Sequence, residues 1–134
     1  MSGKRVMVFG VFDLLHPGHV SFLKQAKKLG NFLVVSVARD VNVKRVKKIR
    51  PVFSEKKRLK NLKDLKIADK VVMGSVGDPI GHIKKEKPDI IALGYDQDSY
   101  LPIGELQKTA RVVRLRPFKP EIFKSSKLRH AKSN

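Results

Sequence analysis

Gly10-Val11-Phe12-Asp13-Leu14-Leu15-His16-Pro17-Gly18-His19 follows the apolar run Val6-Met7-Val8-Phe9 and precedes the amphipathic stretch Val20–Leu29. It reads as a strand, a tight turn and a helix start. Two imidazoles sit where a helix presents unpaired N–H groups, a place suited to holding phosphate. With Pro17 opening the helix, His16 and His19 fall near one another in its first turn. Gly18 carries no side chain, so a phosphate can approach its backbone, and Gly10 lets the chain turn sharply off the strand. Each imidazole can donate a hydrogen bond to a phosphoryl oxygen, more strongly when protonated. Two of the chain's four histidines bracket Pro-Gly at this junction, which argues against an incidental turn.

Outward from this segment, short apolar runs alternate with helical ones. Strands are expected at Arg5–Val11, Phe32–Ala38, Lys70–Met73, Asp89–Leu93 and Arg111–Leu115. Helices are expected at Pro17–Leu29, ended by Gly30, then from a Ser54 cap to about Leu65, from Asp78-Pro79 to about Lys85, and at Ile103–Lys108. Asn42–Lys48 reads as a short helix or a loop. Ser125 or Ser126 is placed to cap a last short helix, with the final residues frayed. The alternation predicts an α/β fold: a five-stranded parallel sheet with helices on both faces and right-handed crossovers. Such folds bind ligands outside the carboxyl ends of the strands, where strand order reverses. His16 and His19 follow the first strand, Arg39 and Asp40 the second, Gly74-Ser75 the third, Gly94-Tyr95-Asp96-Gln97 the fourth, and Arg116 and Phe118 the fifth.

The chain has 134 residues, which suits one domain over 1–134, and it has no cysteine. That excludes disulfides, thiolate catalysis and cysteine-based zinc sites, and fits a cytoplasmic chain. No apolar run approaches the ~20 residues of a membrane span, and Met1–Arg5 does not open a signal peptide. The net charge of +18 implies attraction to polyanions. Eleven basic residues lie between Lys44 and Lys66, opposed only by Glu55 and Asp64. A triphosphate needs two or three of them, and the others read as solvated surface. A basic nucleic-acid-binding module is the non-enzyme alternative. The aromatics oppose it, because no basic and aromatic interleaving resembles a stacking platform.

The constellation suits phosphoryl chemistry. A phosphomonoester has a second pKa near 6, so roughly nine-tenths is dianion at neutral pH and is already a nucleophile. The remaining work is to align it with the α-phosphate of a nucleoside triphosphate and to stabilise spreading charge. Histidines at a helix start, nearby Lys and Arg, and a divalent cation suffice. The sequence offers no Ser-His-Asp or Cys-His system and no Walker-type loop.

Gly10–His19 resembles the HxGH signature of the nucleotidyltransferase superfamily, in the fuller form GxFDxxHxGH of its cytidylyltransferase-like branch. Within that branch the chain resembles the archaeal FAD synthases nearly end to end. The matching landmarks are residues 8–13, Val37–Asp40, Arg50-Pro51, Glu55–Leu59, Lys87–Gln97 and Ser125–Lys127. The resemblance implies a Rossmann-like nucleotidyltransferase fold and an FMN adenylyltransferase: ATP and FMN as substrates, FAD and pyrophosphate as products, a divalent cation (Mg2+ or another), and a homodimer. It implies that His16 and His19 are catalytic. Val11, Phe12, Pro17 and Gly18, with both histidines, would bind nucleotide together with Asp96 and Phe118. Lys47, Arg58, Ser125 and Ser126 would contact phosphate, and no residue is assigned to the metal.

Competing roles are open for several of these residues. Asp13 either hydrogen-bonds the turn or meets the ligand. Arg58 either binds phosphate or pairs with a local carboxylate. Phe118 serves the nucleotide or the core, and the two serines bind phosphate or only cap a helix. His82 and His130 have no motif around them and are expected at the surface. The alternative within the fold is a glycerol-3-phosphate cytidylyltransferase. Those enzymes resemble the chain at Ser125–Lys127 but place an arginine seven or eight residues before that lysine, where this chain has Lys119 or Pro120. Lysine cannot reproduce a bidentate guanidinium contact.

Overall fold

The apolar run Val6-Met7-Val8 has the composition of a strand covered on both faces, and it forms the middle of the sheet. The computed structural model describes residues 3–47, 50–95, 97 and 103–116. The strands are β1 (Arg5–Gly10), β2 (Phe32–Val37), β3 (Lys70–Met73), β4 (Ile90–Leu93) and β5 (Arg111–Arg114). They pair in parallel throughout, in the order β3-β2-β1-β4-β5. The helices are α1 (Pro17–Lys28), α2 (Asp40–Lys47), α3 (Glu55–Leu65), α4 (Pro79–Glu86) and α5 (Ile103–Gln107). The segment expected as helix or loop from Asn42 is a helix that starts two residues earlier, at Asp40.

Alternation along β1 divides the core. Val6 and Val8 pack on one face with Leu23 and Ala26 of α1 and Leu62 of α3. Met7 packs on the other with Ile83 of α4 and Leu106 of α5. Helices therefore cover both faces, as the sequence predicts. Full burial of each such aliphatic side chain stabilises by about 1.5–3 kcal/mol. The solvent sides of α1 and α3 carry exposed Lys24, Lys28, Lys56, Lys60 and Lys63.

Helix ends follow local chemistry. The Ser54 hydroxyl accepts from the Lys57 amide at 3.3 Å and starts α3. The Asp78 carboxylate accepts from the Gly81 amide at 3.0 Å and starts α4, with Pro79 at its first position. Lys66 and Lys87 end α3 and α4 in the left-handed conformation, at φ 58 and 52. Gly30 does not end α1 through a left-handed cap, because Leu29 is the cap and is right-handed. A Cβ on Gly30 would collide with the Lys4 carbonyl, so close approach to β1 is what requires glycine there.

The chain builds β1, β2 and β3 outward in one direction, then crosses back to add β4 and β5 beside β1. The reversal lies between β1 and β4. β1 pairs with β2 along its whole length, from Arg5↔Phe32 to Gly10↔Val37. It pairs with β4 only at Val6↔Ile90 and Met7↔Ile91, after which the two strands separate. Their carboxyl ends thus frame a gap, and the His16–His19 turn leaves β1 at this point.

Candidate active site

The turn after β1 is held from below by a buried arginine. Arg58 is 0% exposed. Its Nε donates to the Phe53 carbonyl at 3.2 Å, one Nη to the Val11 carbonyl at 2.9 Å, and the other to the Asp40 carboxylate. In place of the expected phosphate contact, this guanidinium lies in the interior and joins the end of β1, the loop before α3 and the start of α2. Asp40 and Glu55 exchange backbone-to-carboxylate bonds at 2.9 and 3.1 Å. Arg39 donates to Glu55 at 3.1 Å and to the Gly74 carbonyl at 2.8 Å. Asp13, also buried, accepts from the amides of Val52 and Phe53 at 2.7 and 2.9 Å. The carboxylate that the sequence leaves between turn and ligand is thus bonded to the turn's neighbour.

With Val11 fixed, Phe12 takes a left-handed backbone at φ 52. That conformation is rare for a bulky L-residue and costs about 1–3 kcal/mol, and such strain tends to collect at functional sites. It folds the Phe12 ring back over Gly10, where a Cβ would stand 2.7 Å from the ring. The ring is 5% exposed, meets His19 edge-on at 5.7 Å between centroids, and lies 6.3 Å from Phe22. Phe12 is therefore a platform under the histidine turn.

His16 is the N-cap of α1, and its Nδ1 accepts from the Gly18 amide at 3.0 Å. His19 returns the bond: its Nδ1 accepts from the His16 amide at 3.3 Å. The amides of His19 and Val20 donate to the His16 carbonyl at 2.9 and 3.2 Å. The sequence predicts unpaired amides at this helix start, but the first-turn amides are taken up locally and Pro17 has none. The donors suited to phosphate move instead to the rings. A neutral imidazole that accepts at Nδ1 carries its proton at Nε2, so both histidines hold the tautomer whose outer nitrogen donates. The rings lie 4.0 Å apart. Burial lowers the His16 pKa from its ordinary value, and burial together with the neighbouring His16 lowers that of His19 to about 4. Both shifts favour the uncharged ring.

Across the gap, Gln97 ties the turn after β4 to β1. Its Nε2 donates to the Phe9 carbonyl at 2.8 Å, and its Oε1 accepts from the Gly94 amide at 3.0 Å. Sequence reasoning places Gln97 with the residues at the ligand edge after the fourth strand but gives it no role of its own. The available signal is a polar residue three positions after a glycine at the end of a switch-point strand. His82, expected at the surface, is half-buried on α4, with Nε2 2.8 Å from the Ser36 hydroxyl of β2. Lys47 ends α2. Asp96, Phe118, Ser125, Ser126 and His130 lie outside the described residues.

Over residues 7–132, a span that includes this histidine turn, the chain matches the cytidylyltransferase-like family model. The chain belongs to the cytidylyltransferase-like family. Among its relatives, a protein of Thermoplasma volcanium named FAD synthase is 42% identical, over 93% of this chain and 91% of the relative. One of Methanothrix thermoacetophila with the same name is 49% identical, over 87% and 83%. A crystal structure from Thermoplasma volcanium, described as a lipopolysaccharide core biosynthesis protein, is 42% identical with a TM-score of 0.80, covering 88% of this chain and 100% of that one. The five-stranded sheet is thus the Rossmann-like nucleotidyltransferase fold.

Proposed function

We propose that the chain is an FMN adenylyltransferase, a FAD synthase that transfers AMP from ATP to FMN. The observation that carries this reading is the pair of Nδ1 hydrogen bonds that orients His16 and His19 at the switch point. The names of the relatives support the choice of nucleotide and acceptor. In the reaction a phosphate oxygen of FMN attacks the α-phosphorus of ATP. A new P–O bond forms, the bond from the α-phosphorus to the β-bridging oxygen breaks, and pyrophosphate leaves. The FMN phosphate needs no general base, since it is already mostly dianionic. His16 and His19 donate from Nε2 to phosphoryl oxygens as charge spreads, and a donor placed this way contributes about 10²–10³ in rate. Both rings are locked by their Nδ1 bonds before substrate arrives, so little reorganisation is needed.

The other assignments rest on the family resemblance and belong to the same proposal. Val11, Phe12, Pro17 and Gly18 form the nucleotide seat with Asp96 and Phe118, and Lys47, Ser125 and Ser126 contact phosphate. A divalent cation would neutralise the triphosphate. Among the described residues no three His, Cys, Asp or Glu side chains gather into a metal site. Magnesium commonly takes substrate phosphates and water as most of its ligands. The proposed form is a cytoplasmic homodimer, with size-exclusion chromatography and light scattering as its test. Among the described residues no helix is long and apolar enough to cross a membrane.

The test is a four-way assay of ATP or CTP with FMN or glycerol-3-phosphate, in magnesium or cobalt. FAD formed only from ATP and FMN, and lost in His16→Ala and His19→Ala, is the expected result. CDP-glycerol in its place would overturn the acceptor and the base while keeping the site.

A further inference from the structure

We infer that Gln97 is a positioning residue: its carboxamide replaces the missing rung between β1 and β4 and thereby sets the nucleotide seat. The inference rests on the nucleotidyltransferase reading and extends it to a residue outside the histidine turn. The β1–β4 ladder stops at Met7↔Ile91. Beyond it, the Gly10 carbonyl is taken by Ala38 on the β2 side at 2.9 Å, so the Phe9 carbonyl faces the β4 side. Opposite stands the Gly94 amide. These two groups are left over where the strands part.

A primary carboxamide carries the donor and the acceptor of a peptide unit. That of Gln97 fills the opening with both, at 2.8 and 3.0 Å. Its backbone is held as well. The Gln97 amide donates to the Gly94 carbonyl at 3.2 Å, and one Arg114 Nη donates to the carbonyls of Gln97 and Gly94 at 2.6 and 2.9 Å. The side chain is therefore fixed at both ends, and so is the width of the opening.

That width matters because an aromatic side chain of α1 stands near the turn after β4. A Cβ on Gly94 would stand 3.8 Å from the Phe22 ring. Phe22 packs against Phe12, and Phe12 against His19. The turn after β4 is thus tied to β1 through Gln97, beside the ring cluster of Phe22, Phe12 and His19 that carries the histidine turn. A nucleotide lying across the switch point touches both turns. Glutamate lacks the donor and sets a carboxylate against the Phe9 carbonyl. Leucine leaves both backbone groups unpaired.

The experiment compares the full chain with its Gln97→Glu and Gln97→Leu variants. It reads ATP and CTP affinity by calorimetry, then KM and kcat for FAD formation, with thermal unfolding as a check. In both variants the nucleotide Kd and KM should rise about tenfold while kcat changes far less, the size expected for loss of two hydrogen bonds to part-buried backbone. Gln97→Glu should regain affinity relative to the parent chain as pH falls, because a protonated carboxyl again offers a donor and an acceptor. Unchanged nucleotide affinity in folded variants would overturn the inference. So would equal losses in kcat and affinity that track only a lower melting temperature. If the parent chain binds ATP yet forms no FAD, the acceptor assignment falls while the affinity comparison still decides the role of Gln97. If it binds neither nucleotide, both readings fall.

Discussion

His16 and His19 orient each other: the His16 amide donates to His19 Nδ1 at 3.3 Å, while the His16 ring caps the Gly18 amide at 3.0 Å. The pair proposed to act on the phosphates is also the helix cap. A substitution here acts on rate and on stability together, and the two effects differ in size. His16→Ala and His19→Ala should each lower kcat by about 10²–10³. Each should also lower unfolding stability by about 1 kcal/mol, the cost of a lost cap. Steady-state kinetics and urea unfolding on the same preparations check both. A rate loss no larger than the stability loss would remove the histidines from the chemistry.

The same pair makes stability depend on pH. The folded chain holds His19 down to about 4 from an ordinary 6.5, through burial and the nearby His16. Protons therefore bind the unfolded chain first as pH falls. The contribution is complete above pH 6.5 and is lost as pH drops toward 4. Urea midpoints at pH 8, 6.5, 5 and 4 should fall through this window, and His19→Asn should flatten the profile.

Arg58 is enclosed by Phe53, Val11 and Asp40. Arg58→Ala removes three hydrogen bonds and leaves two carbonyls without that donor, so it should cost about 2–5 kcal/mol. Asp40→Asn retains an oxygen acceptor and should cost less, its side chain being 43% exposed. Calorimetric melting of the two variants measures the difference. Direct phosphate binding by Arg58 would instead show as a raised KM with unchanged melting.

Lys66 and Lys87 cap α3 and α4 with left-handed backbones. Glycine enters that conformation without the penalty an L-residue carries. Lys66→Gly and Lys87→Gly should each stabilise by about 1 kcal/mol. Both exposed side chains lie outside the proposed site, so kcat should hold while the melting temperature rises.

Ser36 is buried and its hydroxyl lies 2.8 Å from His82 Nε2. His82→Ala should leave that hydroxyl without its imidazole partner and cost about 1–3 kcal/mol. Adding Ser36→Ala should recover part of the loss. A double-mutant cycle with no coupling would contradict the pairing.

The strands, their parallel pairing and the histidine turn were legible because their signals are local. Val6–Phe9 is apolar at each position, Pro17-Gly18 marks a helix start, and Ser54 precedes a helical period. What stayed hidden depends on residues far apart in the chain. The partner of Arg58 at Val11 is 47 positions away, and that of Gln97 at Phe9 is 88. No period or spacing reports such a bond. Nor does any pattern reveal that Phe12 takes a left-handed backbone, the conformation that sets its ring against Phe22 and His19. His82 was misread for a related reason: an isolated histidine on a helix looks solvated until the strand beneath it proves to carry serine.

The lysines displayed on the outer sides of α1 and α3, within a chain of net charge +18, have a kinetic consequence. A positive field hastens the capture of anions at low ionic strength. Under the proposed reaction every participant is an anion, the departing pyrophosphate included. The attraction that speeds encounter therefore also slows escape, so added salt should slow substrate capture and hasten product release. Turnover should then peak at an intermediate ionic strength, where neither arrival nor departure dominates.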